Sequence, residues 1–181
     1  MRKKVMAAVL TAAMVASVSA MPQMVAAADD EFKIGLITDV GGVNDGSFNQ
    51  SAWEGLEKAG AELGVEVNYL ESATDSDYVP NLESFVDEEY DLIISVGYML
   101  ADATKQMAEE NPDTRVAIID DATIDLDNVT CLMFENEQGS YLVGYIAGLM
   151  TKTKNIGFVI GMANETINQF GYGYCPGATE A

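Results

Sequence analysis

Asp39-Val-Gly-Gly-Val-Asn-Asp-Gly-Ser-Phe-Asn49 follows the apolar run Lys33–Thr38 and precedes an apolar-periodic stretch. It therefore reads as a glycine-rich loop between a strand and a helix. Open α/β sheets hold ligands at the carboxyl ends of their strands, where such a loop lies. The spacing of Gly41, Gly46 and Ser47 imitates a phosphate loop, but Ser47 follows Gly46 directly and the lysine is missing. Asp39 and Asp45 would repel phosphate, which needs N–H donors and positive charge. A neutral polar ligand with donor groups and a flat face suits this loop better.

Outward from the loop, strand and helix patterns alternate. Lys33–Thr38 is a strand, and 47–63 is a helix with Ala52, Leu56, Ala59 and Leu63 at helical spacing and Gly64 as terminator. Further strands are expected at 65–70, 91–96, 115–119 and 129–134, and further helices at 78–88 and 100–110. The segments 71–77 and 120–128 read as polar loops. Repeated βα units of this length imply a doubly wound parallel α/β sheet with right-handed crossovers. Glu135-Asn136 marks a hinge crossover to a second βα set, with a helix at 138–150, a strand at Ile156–Ile160 and a poor helix from Ile167. Gly171, Gly173, Pro176 and Gly177 weaken that last helix. Gly144 and Gly148 form a small-xxx-small pair, read as close packing on a sheet. A lone strand cannot bury its faces, so residues 137–181 are expected to begin a larger second lobe, the chain being a truncation.

The N-terminal segment stands apart. Arg2, Lys3 and Lys4 precede an apolar run over 5–20, and small residues at 26–28 precede Asp29 and Asp30. Residues 1–28 read as a secretory signal peptide, since a membrane-spanning helix needs about 20 apolar residues. The first lobe then occupies 29–134. The 181-residue chain carries a net charge of −20, or −23 without those three cations, six basic residues facing 29 acidic ones. Nucleic acid is thereby excluded as a partner, because neutralising phosphate needs clustered Lys and Arg.

Histidine is absent, which removes the usual general base and the commonest zinc ligand. No Gly-x-Ser-x-Gly elbow occurs, and neither Cys131 nor Cys175 has a basic residue near it in sequence, so no enzymatic activity and no cofactor are expected. A Cys131–Cys175 disulfide is possible in an exported chain, although the apolar pattern around Cys131 favours a buried free thiol. The acidic run from Asp120 to Asp127 lacks the glycine and bidentate glutamate of an EF-hand. Asn128 and Asn164 match the glycosylation sequon, a short pattern that arises often by chance.

Several residues are candidates for ligand contact. Asp39 ends the first strand, as ligand acceptor or turn cap. Phe48 opens the first helix, for stacking on a planar ring or for core packing. Asn44, Asp45 and Asn49 cap that helix or orient the ligand. Asp120 and Asp121 end the fourth strand, where acceptors suit vicinal hydroxyls; Asp120 is favoured because it follows the strand directly. Tyr98 lines the cleft or packs inside.

Residues 33–50, together with Arg-Val-Ala-Ile-Ile-Asp (115–120), Glu-Gln-Gly-Ser-Tyr-Leu-Val-Gly-Tyr-Ile-Ala-Gly (137–148) and Ile-Gly-Phe-Val-Ile-Gly-Met (156–162), resemble motifs of the basic membrane protein family in the same order. That family comprises ABC-transporter substrate-binding proteins and includes purine nucleoside receptors. The resemblance implies a two-lobed type I periplasmic-binding-protein fold, nucleoside capture and a membrane permease as partner. It assigns Asp39 to the base, Phe48 to stacking on it and Asp120 to the ribose hydroxyls. Three departures stand out. No lipidated cysteine follows the signal, family members run well beyond this length with further ligand contacts, and Cys175-Pro176 interrupts a helix that the family continues. The rival readings are an exported α/β hydrolase using Asp39 and Asp120, and a sugar-binding protein of the same fold.

Overall fold

Five parallel strands follow from five runs of apolar and β-branched residues. In a computed structural model that describes residues 32–181, these are β1 (Lys33–Thr38), β2 (Glu66–Leu70), β3 (Leu92–Val96), β4 (Arg115–Ile119) and β5 (Val129–Leu132). They form one sheet of order β2-β1-β3-β4-β5. The helices are α1 (Phe48–Leu63), α2 (Tyr78–Asp87), α3 (Ala101–Glu110), α4 (Asn136–Met150) and α5 (Glu165–Glu180), with short 3₁₀ turns at Asp75–Asp77 and Tyr98–Leu100. The expected doubly wound arrangement is present. The signal-peptide reading falls on residues 1–28, outside the described residues.

Alternation along β1 sends its side chains to two cores. Ile37 joins Leu82, Phe85, Ile93, Leu100, Met107 and Val116 beneath α2 and α3, while Ile34 and Leu36 join Leu56 and Val96 beneath α1. Gly35 faces the first core, where an added Cβ would stand 2.7 Å from the Phe85 ring. Gly64 ends α1 at φ +70°, and its N–H donates to the Gly60 carbonyl, as expected of a left-handed cap. The Asn128 amide donates to the carbonyls of Ala108, Asn111 and Thr114; it is a structural lock, which argues against the sequon there.

The second βα set differs from the sequence reading. Ile156–Ile160 forms no strand, because none of the described strands lies beside it to complete a ladder. Its residues are exposed, Val159 at 95%, and Phe158 stacks on Tyr174 with ring centroids 5.3 Å apart. The terminal helix is neither short nor frayed: α5 runs sixteen residues and passes through Pro176. Gly144 and Gly148 pack on α5 rather than on the sheet. An added Cβ at 144 would lie 2.1 Å from the Tyr174 carbonyl oxygen, and one at Gly177 would lie 2.1 Å from that of Tyr141. Gly144-xxx-Gly148 and Gly173-xxx-Gly177 thus form matching grooves that let two backbones touch, outweighing the glycine and proline penalties. No described helix is long and apolar enough to cross a membrane. β5 stops at Leu132 rather than Phe134, since β4 ends at Ile119, its partner, and the chain turns at Asp120. Both cysteines are free, Cys131 half-buried and Cys175 exposed.

Candidate functional site

In the loop after β1, side chains of the loop and its neighbours accept from the N–H groups of Gly41, Val43, Gly46 and Ser47. Asp39 Oδ1 accepts from the Gly41 N–H at 2.9 Å and from Asn49 Nδ2 at 2.8 Å. Asn49, 2% exposed, also donates to the Gly42 carbonyl. Asp45 accepts from the N–H groups of Ser47, Asn49 and Gln50, capping α1. Desolvation pushes its carboxyl up, but the backbone donors of Asn49, Gln50, Ser47 and Phe48 outweigh that and hold it below the usual carboxylate value. Asn44 is exposed on the same loop. The structure therefore gives Asp45 to the helix cap and Asn49 to the loop's closure.

Phe48 projects from the first turn of α1 and is 39% exposed. Its ring lies beside Gly97 at the end of β3, 3.6 Å from where a Cβ would stand. Gly97 adopts φ +100°, a conformation that favours glycine, so the ring closes over bare backbone. Asp120 also sits in the left-handed region, at φ +67°, uncommon for a residue with a side chain. Such backbone strain clusters at functional sites. It is held there from three sides: its N–H donates to the Leu132 carbonyl, its carbonyl accepts from Thr166 Oγ1, and its Oδ1 lies 3.5 Å from Asn136 Nδ2. Asp121, by contrast, spends Oδ1 on the N–H and hydroxyl of Thr123.

Phe48 and Asp120 line one cleft of about 390 Å³ with Ile119, Phe134, Asn136 and Phe170, a size that suits a small ligand. One carboxylate and no basic residue line it. Phe134, Asn136 and Phe170 were not among the ligand-contact candidates from sequence, Asn136 having been read only as part of the hinge crossover. Phe134 carried a usable signal, an aromatic just past a strand's carboxyl end; Phe170 carried none. Asp39 does not line this cleft, and its Oδ2 has no hydrogen bond among the described residues. Tyr98 is half-buried in a neighbouring cleft beside Asp121, Thr166 and Gln169. No group of three or more His, Cys, Asp or Glu among the described residues is placed to hold a metal.

On the opposite face of the sheet, Tyr78 is 4% exposed, with the Asp75 carboxylate and the Val40 backbone as polar neighbours but no hydrogen bond of good geometry. Burial first, then the adjacent charged Asp75 carboxylate and the charge of Asp39, push its hydroxyl up to about 12, the Val40 backbone opposing them. A folded-state pKa above the ordinary 10 gives stability that is full below pH 10 and is lost as pH rises towards 12. Thermal melts across that window should show the loss in the native protein and a shallower one in Tyr78→Phe, with ultraviolet phenolate titration locating the group.

Residues 32–181 match the family model described as ABC transporter substrate-binding protein, PnrA-like. A CD4+ T-cell-stimulating antigen of Listeria monocytogenes is 45% identical over 152 residues, which cover 81% of this chain and 43% of that protein. The ABC transporter nucleoside-binding protein BmpA of Lactococcus lactis is 41% identical, with 82% and 43% covered. A crystal structure of an ABC transporter solute-binding protein from Aeropyrum pernix superposes with a TM-score of 0.73 at 30% identity, again with 82% and 43% covered. The chain thus spans under half the length of these relatives. Its sheet and flanking helices are those of a type I periplasmic-binding-protein lobe. The chain belongs to the PnrA-like family of ABC transporter substrate-binding proteins.

Proposed function

We propose that this chain supplies the first wall of an exported nucleoside receptor that feeds an ABC-type importer. The observation that carries the reading is the cleft in which the Phe48 ring, lying beside Gly97, faces the same space as the Asp120 carboxylate with no cation nearby. An aromatic face and an acceptor without positive charge suit an uncharged base joined to a hydroxylated sugar, and repel a nucleotide's phosphate. Phe48 stacks on the base and Asp120 accepts from the ribose hydroxyls. Asp39 offers Oδ2 to a donor on the base once the lobes close, its Oδ1 being held by Gly41 and Asn49. Closure takes place about the crossover at Glu135-Asn136. The name of the Lactococcus relative supports the nucleoside class, and the N-terminal segment supports export.

The hydrolase reading needs Asp39 and Asp120 to work as a pair across one substrate. Only Asp120 lines the cleft, so that reading has less support. The test is calorimetry on residues 32–181 joined to the second half of the Lactococcus relative, titrated with inosine, guanosine and adenosine. Heat from a nucleoside recovered unchanged is the expected result. Silence from all three, with heat from a free sugar, would overturn the substrate class.

A further inference from the structure

We infer that Glu71 is the positioning residue of the ligand loop: its carboxylate clamps Gly42 and Val43 from behind and so sets where α1 begins and where Phe48 points. This rests on the nucleoside reading only for the ligand half of its test.

The parallel register pairs Ile37 with Leu70, so Glu71, the first residue beyond β2, falls level with Thr38, the last residue of β1, just short of the ligand loop. From there Glu71 Oε1 accepts from the Val43 N–H at 2.7 Å, joining segments 28 residues apart. The chain passes directly over this oxygen, since a Cβ on Gly42 would stand 2.9 Å from it while Gly42 adopts φ +68°. The positive φ favours glycine at 42, and a Cβ there would have to displace the Glu71 carboxylate. The amide that Glu71 holds belongs to a residue only 3% exposed. Without its acceptor that N–H would be left unpaired in a buried place, a costly state.

The clamp is itself anchored. The Glu71 carbonyl accepts from Asn81 Nδ2 on α2, which also donates to the hydroxyl of buried Ser72. One side of the loop is thus tied to α2 through Glu71, and the other to α1 through Asn49 and Asp45. Glu71 lines neither of these two clefts. It acts through the loop alone.

Amide hydrogen exchange and an NMR titration with inosine on the 181-residue chain test this, in the native protein, Glu71→Ala and Glu71→Gln. Glutamine keeps an acceptor oxygen at the same reach; alanine removes it. The expected result is loss of Val43 amide protection in Glu71→Ala, with inosine affinity down about tenfold, the scale of one hydrogen bond to a charged group. Glu71→Gln should retain most of both. Unchanged Val43 protection in Glu71→Ala overturns the clamp, and lost protection with unchanged affinity overturns its positioning role. If the joined protein described above binds no inosine, the nucleoside reading fails by itself. Val43 protection and the resonance shift of Phe48 between native and Glu71→Ala then decide the clamp without ligand.

Discussion

Phe48→Ala is expected to weaken nucleoside binding by roughly 5- to 150-fold while leaving the melting temperature nearly unchanged. Stacking of a base on an aromatic side chain is worth about 1–3 kcal/mol by alanine substitution, and each 1.4 kcal/mol is tenfold in affinity. The ring is 39% exposed and packs over the backbone at Gly97, so the unliganded fold gains little from it. Phe48→Tyr keeps the flat face and should keep most of the affinity. Asp120→Asn makes the complementary case, since asparagine tolerates the left-handed backbone at φ +67° while the charge on the acceptor is lost. Its effect should be of the same order, because hydrogen bonds to charged groups contribute about 1.5–3 kcal/mol. Calorimetry on the joined protein described above reads both. A large fall in melting temperature for Phe48→Ala, with affinity unchanged, would return the ring to a packing role.

Gly173→Ala is expected to break the pairing of α4 with α5. A Cβ there would stand 1.9 Å from the Glu137 carbonyl oxygen, where real Cβ atoms keep at least 3.0 Å away, so the helices must part. The same shift opens the contacts at Gly144, Gly148 and Gly177. Alanine favours a helix over glycine by about 1 kcal/mol, whereas overpacking typically costs about 1–3 kcal/mol, occasionally more. With contact this close, the second effect wins. Circular dichroism should therefore show helix lost at lower temperature, with new protease cleavage between α4 and α5. Trp53 on α1, packed on Tyr69 of β2 with ring centroids 4.7 Å apart, should report an unchanged first lobe. A rise in melting temperature would mean that helix propensity, not backbone approach, governs this site.

The two predictions fall on opposite sides of what the sequence made legible. The central strands β1, β3 and β4 were readable as short apolar runs buried in a parallel sheet, and the edge strand β2 from the alternation of its apolar residues with Glu66 and Asn68. Gly64 marked the end of α1 because only its left-handed cap suits that position. The glycines of α5 misled, since propensity counts their local cost and not the partner helix that turns it into contact. Ile156–Ile160 has the composition of a strand, yet a strand exists only with a neighbour, and none of the described strands is beside it. The meeting of Phe48 and Asp120 in one cleft was legible from one rule, that parallel sheets open their clefts at the carboxyl ends of their strands. Phe134 follows the same rule from the end of β5, whereas Asn136 and Phe170 reach the cleft through the fold's return into α4 and α5, a placement with no local signature. Asp45 and Asn49 both make hydrogen bonds within the loop and the start of α1, the capping half of the sequence reading. Glu71 read as one more polar loop residue because its partner, Val43, is 28 positions away.

The most direct measurement is an NMR titration of the 181-residue chain with inosine, with free ribose as control. Chemical-shift changes centred on Phe48, Asp120 and Asn136, produced by inosine and not by ribose alone, are the predicted result. Shifts confined to other surfaces, or the same changes from ribose alone, would contradict a cleft whose aromatic wall takes the base and whose carboxylate takes the sugar.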